Sequence, residues 1–136
     1  MSLDDERKEI EGIYAASPIA GVAFGYADHA FELQDATVGP SIQLTIQSGD
    51  SFQAGLGSPG TNLTRTAGIA FFKIWTEGGN GIAEGNGHAE TIMCLYRNKH
   101  PNNIKFGIPH LVPIENEEPH TIHLVSVPYR RDDFNA

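Results

Sequence analysis

Apolar residues recur along this chain at two periods, and the switches between them mark out the elements. Leu3, Ile10, Ile13 and Tyr14 fall on one face of a 3.6-residue repeat, which predicts a helix over 3–16. Ser2 can cap it, and Asp4, Asp5 and Glu6 suit the positive end of its dipole. Ser17-Pro18 stops it, because a residue before proline leaves the helical region. The apolar stripe is narrow, so the helix must dock on something to persist. Ala20, Val22 and Phe24 alternate with Gly21 and Ala23 and suggest a short strand over 20–24. The stretch 25–39, with Phe31 and Leu33 on one parity, reads equally as a second strand or a long loop.

The clearest strand is 41–47, where Ile42, Leu44 and Ile46 alternate with Gln43, Thr45 and Gln47. From Thr66 to Thr76 both parities are apolar: Ile69, Phe71 and Trp75 on one, Ala70, Phe72 and Ile74 on the other. Such a strand is expected to be covered on both faces and to lie centrally in a sheet. Between the two sits a glycine- and serine-rich connection, 48–64, dotted with Phe52, Leu56 and Leu63. Connections this long are functional or mobile as a rule, so 48–64 reads as a mobile surface loop or as an arm that orders against a partner.

A glycine-rich stretch, 77–87, leads into Ile82, Ala89, Ile92, Met93 and Tyr96 at helical spacing. A helix over 82–98 follows, with a start as late as His88 if Gly85 and Gly87 weaken the first turns. Its small residues would let it lie close on a sheet. Ile104, Phe106, Ile108, Val112 and Ile114 share a parity, while Pro109 and Pro113 demote 104–114 to an edge or bulged strand. Glu115 to Pro119 is a charged turn, His120 to Tyr129 a closing strand, and the polar tail after it, 131–136 above all, is expected to fray. The order implies one α+β domain over 1–136: a mostly antiparallel sheet with two helices packed on it.

The chain's 136 residues suit one domain. Its formal net charge of −8 disfavours a basic nucleic-acid clamp. A single cysteine, Cys94, rules out an internal disulfide and a multi-cysteine zinc site. No apolar run approaches the roughly 20 residues of a membrane-spanning helix, and the acidic N-terminus is unlike a signal peptide. The expectation is therefore a protein made and used inside a cell, or assembled there.

Candidate chemistry thins out on inspection. His88-Ala89-Glu90 is half of the zinc deaminase signature, but no Pro-Cys-x-x-Cys accompanies it, and Cys94 alone cannot complete the ligand set. The alternative reading puts His88 and Glu90 on a helical turn facing water. The glycine run carries no Gly-Lys-Ser/Thr for a phosphate loop. Its Asn80, Glu84 and Asn86 lack the aspartate spacing of a calcium loop. His120 and His123, three apart in a strand, point to opposite faces; Cys94 reads as a packing residue. No catalytic, cofactor or metal set survives, so the expectation is a non-enzyme without cofactor. Eight acidic residues, Asp4, Asp5, Glu6, Glu9, Glu11, Asp28, Glu32 and Asp35, crowd the first 35 positions, while Arg65, Arg130 and Arg131 lie elsewhere. Separated charges of this kind favour oriented self-association or partner docking, and on charges alone read equally as a solvated surface.

From Arg65-Thr66-Ala67-Gly68-Ile69-Ala70-Phe71-Phe72-Lys73-Ile74-Trp75 the chain passes through Glu77-Gly78-Gly79-Asn80-Gly81 to a helix of small and apolar residues. It then reaches strands ending Val125-Ser126-Val127-Pro128-Tyr129-Arg130-Arg131-Asp132. With the N-terminal helix, this resembles the tail terminator-like proteins of long-tailed bacteriophages over nearly the whole length. The resemblance lies in element order and a few anchor positions. It implies a structural virion protein of the tail, assembled in the bacterial host cytoplasm, that caps the tail tube as a ring, commonly hexameric. Such a ring ends tube polymerisation and offers the head-joining surface. The implied partners are copies of itself, the tail tube protein and a head-completion or neck protein, with no membrane and no sequence-specific nucleic acid. Another neck or tail-completion protein is the alternative, and a deaminase-like enzyme a more distant one. Phe52, Leu56, Leu63, Arg65, Arg130 and Arg131 are the candidate assembly contacts.

Overall fold

The computed structural model describes residues 3–19, 22–25, 40–53, 63–77, 81–97, 104–117 and 120–134. Helix α1 (Leu3–Ala16) is followed by strands β1 (Ala23–Gly25), β2 (Ser41–Gln53) and β3 (Leu63–Glu77). Then come helix α2 (Gly81–Tyr96) and strands β4 (Ile104–Phe106), β5 (His110–Glu117) and β6 (His120–Phe134). The six strands form one sheet in the order β1-β2-β3-β6-β4, with β5 also on β6. All pairings are antiparallel except β1 with β2. The chain is therefore α+β, with β3 in the centre.

Alternation decides what the sheet buries. Ile42 and Leu44 of β2, Ala70, Phe72 and Ile74 of β3, and Val125, Val127 and Tyr129 of β6 point to the inner face and are all buried. Ile10 of α1 and Ala89, Ile92 and Tyr96 of α2 close over them. Six aromatic rings, Tyr14, Phe24, Phe72, Tyr96, Phe106 and Tyr129, run through this layer, each in contact with the next at 3.8–6.4 Å between centroids. The two helices are tied by the Tyr96 hydroxyl, which donates to the buried Ile10 carbonyl at 2.6 Å.

The polar face of α1 is laced by Arg7, which bonds Asp4 and Glu11, each at 2.7 Å, in the spacing that supports an isolated helix. Gly85 is buried in the first turns of α2 because the helix comes down onto β6 there. A Cβ at Gly85 would stand 2.1 Å from the His123 ring. The helix consequently starts at Gly81, the early end of the expectation: tertiary contact outweighs the glycines' low propensity.

Four expectations need correction. The connection 48–64 is not all loop: β2 runs on through Ser48–Gln53 after a register shift between Ser48 and Ser51, and β3 begins at Leu63; only 54–62 lies outside the described residues. The tail does not fray at Arg130–Phe134, because Leu63↔Phe134 through Ala67↔Arg130 continue the β3–β6 ladder. Segment 104–114 lies at the sheet edge and is bulged, as expected, with β5 shifting register between Val112 and Glu115 across Pro113, but it is two strands, β4 and β5, parted at Gly107–Pro109. The charged turn is shorter than expected, since β5 extends through Glu117. The ambiguous stretch at 26–39 lies outside the described residues.

Candidate functional site

Both helices pack on the inner face of the sheet. On β3 the outer face carries Arg65, Ala67, Ile69, Phe71, Lys73 and Trp75, the odd residues of the register. One end is closed, with Trp75 and Ile122 buried and the Lys73 ammonium 5.0 Å from the Trp75 ring centre in a cation–π contact. The other end is open. Ala67 is exposed, and Ile69 is 36% exposed, a high value for a large aliphatic residue on a central strand. The expectation that β3 is covered on both faces thus holds from Trp75 to about the Phe71–Ser126 row and fails at Ile69 and Ala67.

The open end contains a depression of about 470 Å³. It is lined by Gln47, Ser48, Gly49, Ala67, Gly68, Ile69, Pro128 and Tyr129. Three small residues, Gly49, Ala67 and Gly68, sit side by side there. A Cβ at Gly49 would stand 2.4 Å from the Ala67 carbonyl oxygen, and one at Gly68 would strike the Tyr129 ring from the inner side.

Beside the depression stand Arg65, Arg130, Lys105 and Asp132. Arg65 and Asp132 face each other across the β3–β6 pair and join through two hydrogen bonds, Nε to Oδ1 at 2.7 Å and Nη2 to Oδ2 at 3.2 Å. The Arg65 guanidinium holds the Asp132 carboxyl below its ordinary range, with Arg130 and Lys105 adding to the effect. Among the described side chains of this end, three cations meet one carboxylate, in a chain whose net charge is −8.

The inner face at the same rows is polar. Glu6 of α1 is 2% exposed; its Oε2 accepts from Ser48 Oγ at 2.8 Å and lies 3.6 Å from Arg131 Nη1. Ser48 Oγ is also 3.4 Å from the Tyr129 hydroxyl. Burial pushes the Tyr129 phenol up; the Ser48 bond opposes this and Glu6 reinforces it. This cluster docks α1 on the sheet through buried charge, an arrangement that tolerates loss of neither partner well.

A second buried group was missed by the pattern of the sequence. His123 is wholly buried on the inner face, its Nε2 3.2 Å from Asn86 Oδ1 and its Nδ1 without a hydrogen-bond partner. Burial depresses its pKa, the Ile82 backbone offsets this in part, and His88 adds to the depression. Strand parity could have placed His123 inward with Val125 and Val127, but its partner comes from the glycine-rich helix start, which carries no such signal.

Of the candidate contacts, Arg65 and Arg130 stand half-buried on the outer face. Arg131 points the other way, buried against Glu6. Phe52 and Leu63 belong to β2 and β3, but their side chains, like all of Leu56, lie outside the described residues. Glu90 and Cys94 are exposed on α2, so Cys94 is a surface residue and not a packing one. His88 is half-buried, with Nε2 3.5 Å from Glu84 Oε1. Among the described residues no three His, Cys, Asp or Glu side chains are grouped to hold a metal ion, and no helix is long and apolar enough to cross a membrane.

No protein-family model matches the chain. No curated protein matches it either. Solved structures do: one that carries no functional name superposes with a TM-score of 0.62 at 13% identity, over 100% of this chain and 99% of the other. A likeness at that identity is one of fold.

Proposed function

We propose that this protein is a structural virion component of the tail-terminator type, which works by packing against copies of itself and against a tail tube. The observation that carries the reading is the two-sidedness of the sheet. Two helices seal one face, while the open end of the other offers Ala67, Ile69 and a shallow depression edged by cations. Exposed apolar surface with a polar rim marks a place where another molecule sits. The resemblance in element order supplies the assembly: a ring, commonly of six, that ends tube growth and receives a head-completion or neck protein.

A ring subunit works by shape, so long strands that hold a broad face rigid suit it. β3 and β6 pair over their full 15 residues each. Identical subunits related by a rotation that closes make a ring, and by one that does not, a filament.

Electron microscopy of the purified protein mixed with its cognate tail tubes tests the reading. The expected result is a cap at one end of each tube and an arrest of further growth. Bare ends and unaltered growth would refute it. A protein that binds completed heads and ignores tubes would belong instead to the neck.

A further inference from the structure

We infer that the first two turns of α2, residues 81–87, are an acid-released segment: protonation of His123 beneath them undocks these turns while the rest of the helix, from Ala89 on, stays on the sheet. The device is independent of the assembly role proposed above.

These turns form against their own propensity. Three of their seven residues are glycine, which a helix interior disfavours. Ile82, Ala83, Glu84, Asn86 and Gly87 are exposed, and Gly85 is buried. The His123 ring buries it by occupying the place where a side chain would stand. The same ring sets its Nε2 3.2 Å from Asn86 Oδ1 and meets the Ile82 backbone. Contacts from Ile82, Gly85 and Asn86 therefore converge on one side chain. Past His88 the helix is held differently. Ala89, Ile92 and Tyr96 lie in the apolar core, and the Tyr96 hydroxyl donates to the Ile10 carbonyl. One half of α2 thus rests on groups that do not titrate below neutrality, and the other on an imidazole.

That imidazole is poorly placed to take a proton. His123 is wholly buried, and its Nδ1 has no hydrogen-bond partner. From α2 it faces the neutral amide of Asn86 and His88, whose Nε2 lies 3.5 Å from the exposed Glu84. On β3 its partner is Ile74, flanked on that face by Phe72 and Thr76. Along β6 it lies between Thr121 and Val125. Opposite it on β5, between the pairs Val112↔Leu124 and Glu115↔Ile122, are Pro113 and Ile114. No described carboxylate bonds it, and the helix dipole presents its positive end. Burial accordingly holds its pKa below the ordinary 6.5, and the Ile82 backbone offsets only part of this. In the released state the exposed ring binds the proton more readily. Docking is therefore complete above about pH 6.5 and is lost as pH falls through the lower docked value. The helix start then retreats toward His88, where the glycines alone would put it.

Nuclear magnetic resonance of the full chain, taken from about pH 8 to about pH 5, tests this. Backbone shifts read the helix at each residue, and the ring shifts of His123 read its proton. The expected result is loss of helical shifts over 81–87 in step with His123 protonation, with 89–96 unchanged. Gly87→Ala tests the linkage without touching His123. A Cβ there meets nothing within 4 Å, and alanine favours the docked helix about 5-fold over glycine. With one proton taken up on release, both transitions should move about 0.7 pH unit lower in that variant. Helical shifts that persist over 81–87 after His123 has protonated would overturn the inference. So would release with His123 still neutral, loss of the whole helix at once, or a midpoint that Gly87→Ala leaves in place. A His123 that stays neutral, with 81–87 docked, until the whole chain unfolds would overturn it as well.

Discussion

The Tyr129 ring crosses over Gly68 to reach Ser48. The three residues form one row of the sheet, Ser48↔Gly68↔Tyr129. A Cβ at Gly68 would stand 2.5 Å from the Tyr129 Cζ and hydroxyl oxygen and 2.9 Å from the Gln47 carbonyl oxygen. The missing side chain lets an aromatic ring cover the central strand and deliver its hydroxyl to the Glu6–Ser48 cluster. Gly68→Ala is expected to destabilise the fold by about 1–3 kcal/mol, the usual cost of overpacking. The backbone oxygen of Gln47 cannot swing aside as a side chain could, so Tyr129→Leu should recover only part of that loss. Urea denaturation of the single and double variants measures both.

Gly85 and His123 make the same argument for the helix. In an exposed helix, Gly→Ala gains about 1 kcal/mol from propensity alone. At Gly85 the sign reverses: the new methyl would stand 2.1–2.8 Å from the three nearest His123 ring atoms. Gly85→Ala should therefore cost about 1–3 kcal/mol by lifting α2 from β6. His123→Ala empties the space, and in that background Gly85→Ala should become neutral or stabilising. A double-mutant cycle with no coupling would mean that α2 does not press on His123 at Gly85.

These two contacts also show what the sequence made legible. Helix α1 could be read to its ends, Leu3–Ala16, because acidic first-turn residues and Ser17-Pro18 are local signals. The core of β2 followed from alternation, and the central place of β3 from apolar residues on both of its parities. Ser48–Gln53 and Arg130–Phe134 did not, because they are polar and pair as strands only through the ladder that β3 extends past both. At the candidate site Arg65 and Arg130 were visible as cations, yet which arginine faces out depends on strand parity carried one residue at a time. Arg130 points outward and Arg131 inward to Glu6. The depression was invisible, since it arises from Gly49, Ala67 and Gly68 on neighbouring strands becoming adjacent.

His123 sets a pH dependence whose direction follows from its burial. Its pKa in the folded chain lies below the ordinary 6.5, so the unfolded chain binds the proton more readily. The stability contributed by neutral His123 is full above about pH 6.5 and is lost as pH falls from there through the folded value. The groups facing it from α2 are Asn86 and His88, with Glu84 next to His88; on β3 its neighbour is Ile74. Protonation would place a charge under the positive end of α2, where no described carboxylate bonds it. Hydrogen exchange across Ile82–His88 should quicken on acidification before the rest of the chain responds. His123→Gln should abolish that early phase, and its persistence in the variant would move the cause elsewhere.

Arg65 and Asp132 fasten the far ends of β3 and β6 beside the open end of the outer face. Their side chains are 28% and 22% exposed, so solvent screens the pair, and each of Arg65→Ala and Asp132→Asn should cost only about 0.2–1 kcal/mol. The Asp132 pKa is depressed, so this stabilisation is complete above its ordinary 3.8 and lost as pH falls through the lower folded value. The loss lies well below the pH range of His123, which keeps the two titrations apart. Added salt should shrink the coupling between the two substitutions, because screening acts on an ion pair and not on strand packing. If the strand ends depend on this pair, Arg65→Ala should also speed exchange of the amides over Arg130–Phe134, the polar segment held as strand by its ladder to β3. Unchanged exchange there would show that the Leu63–Ala67 backbone ladder is enough without it.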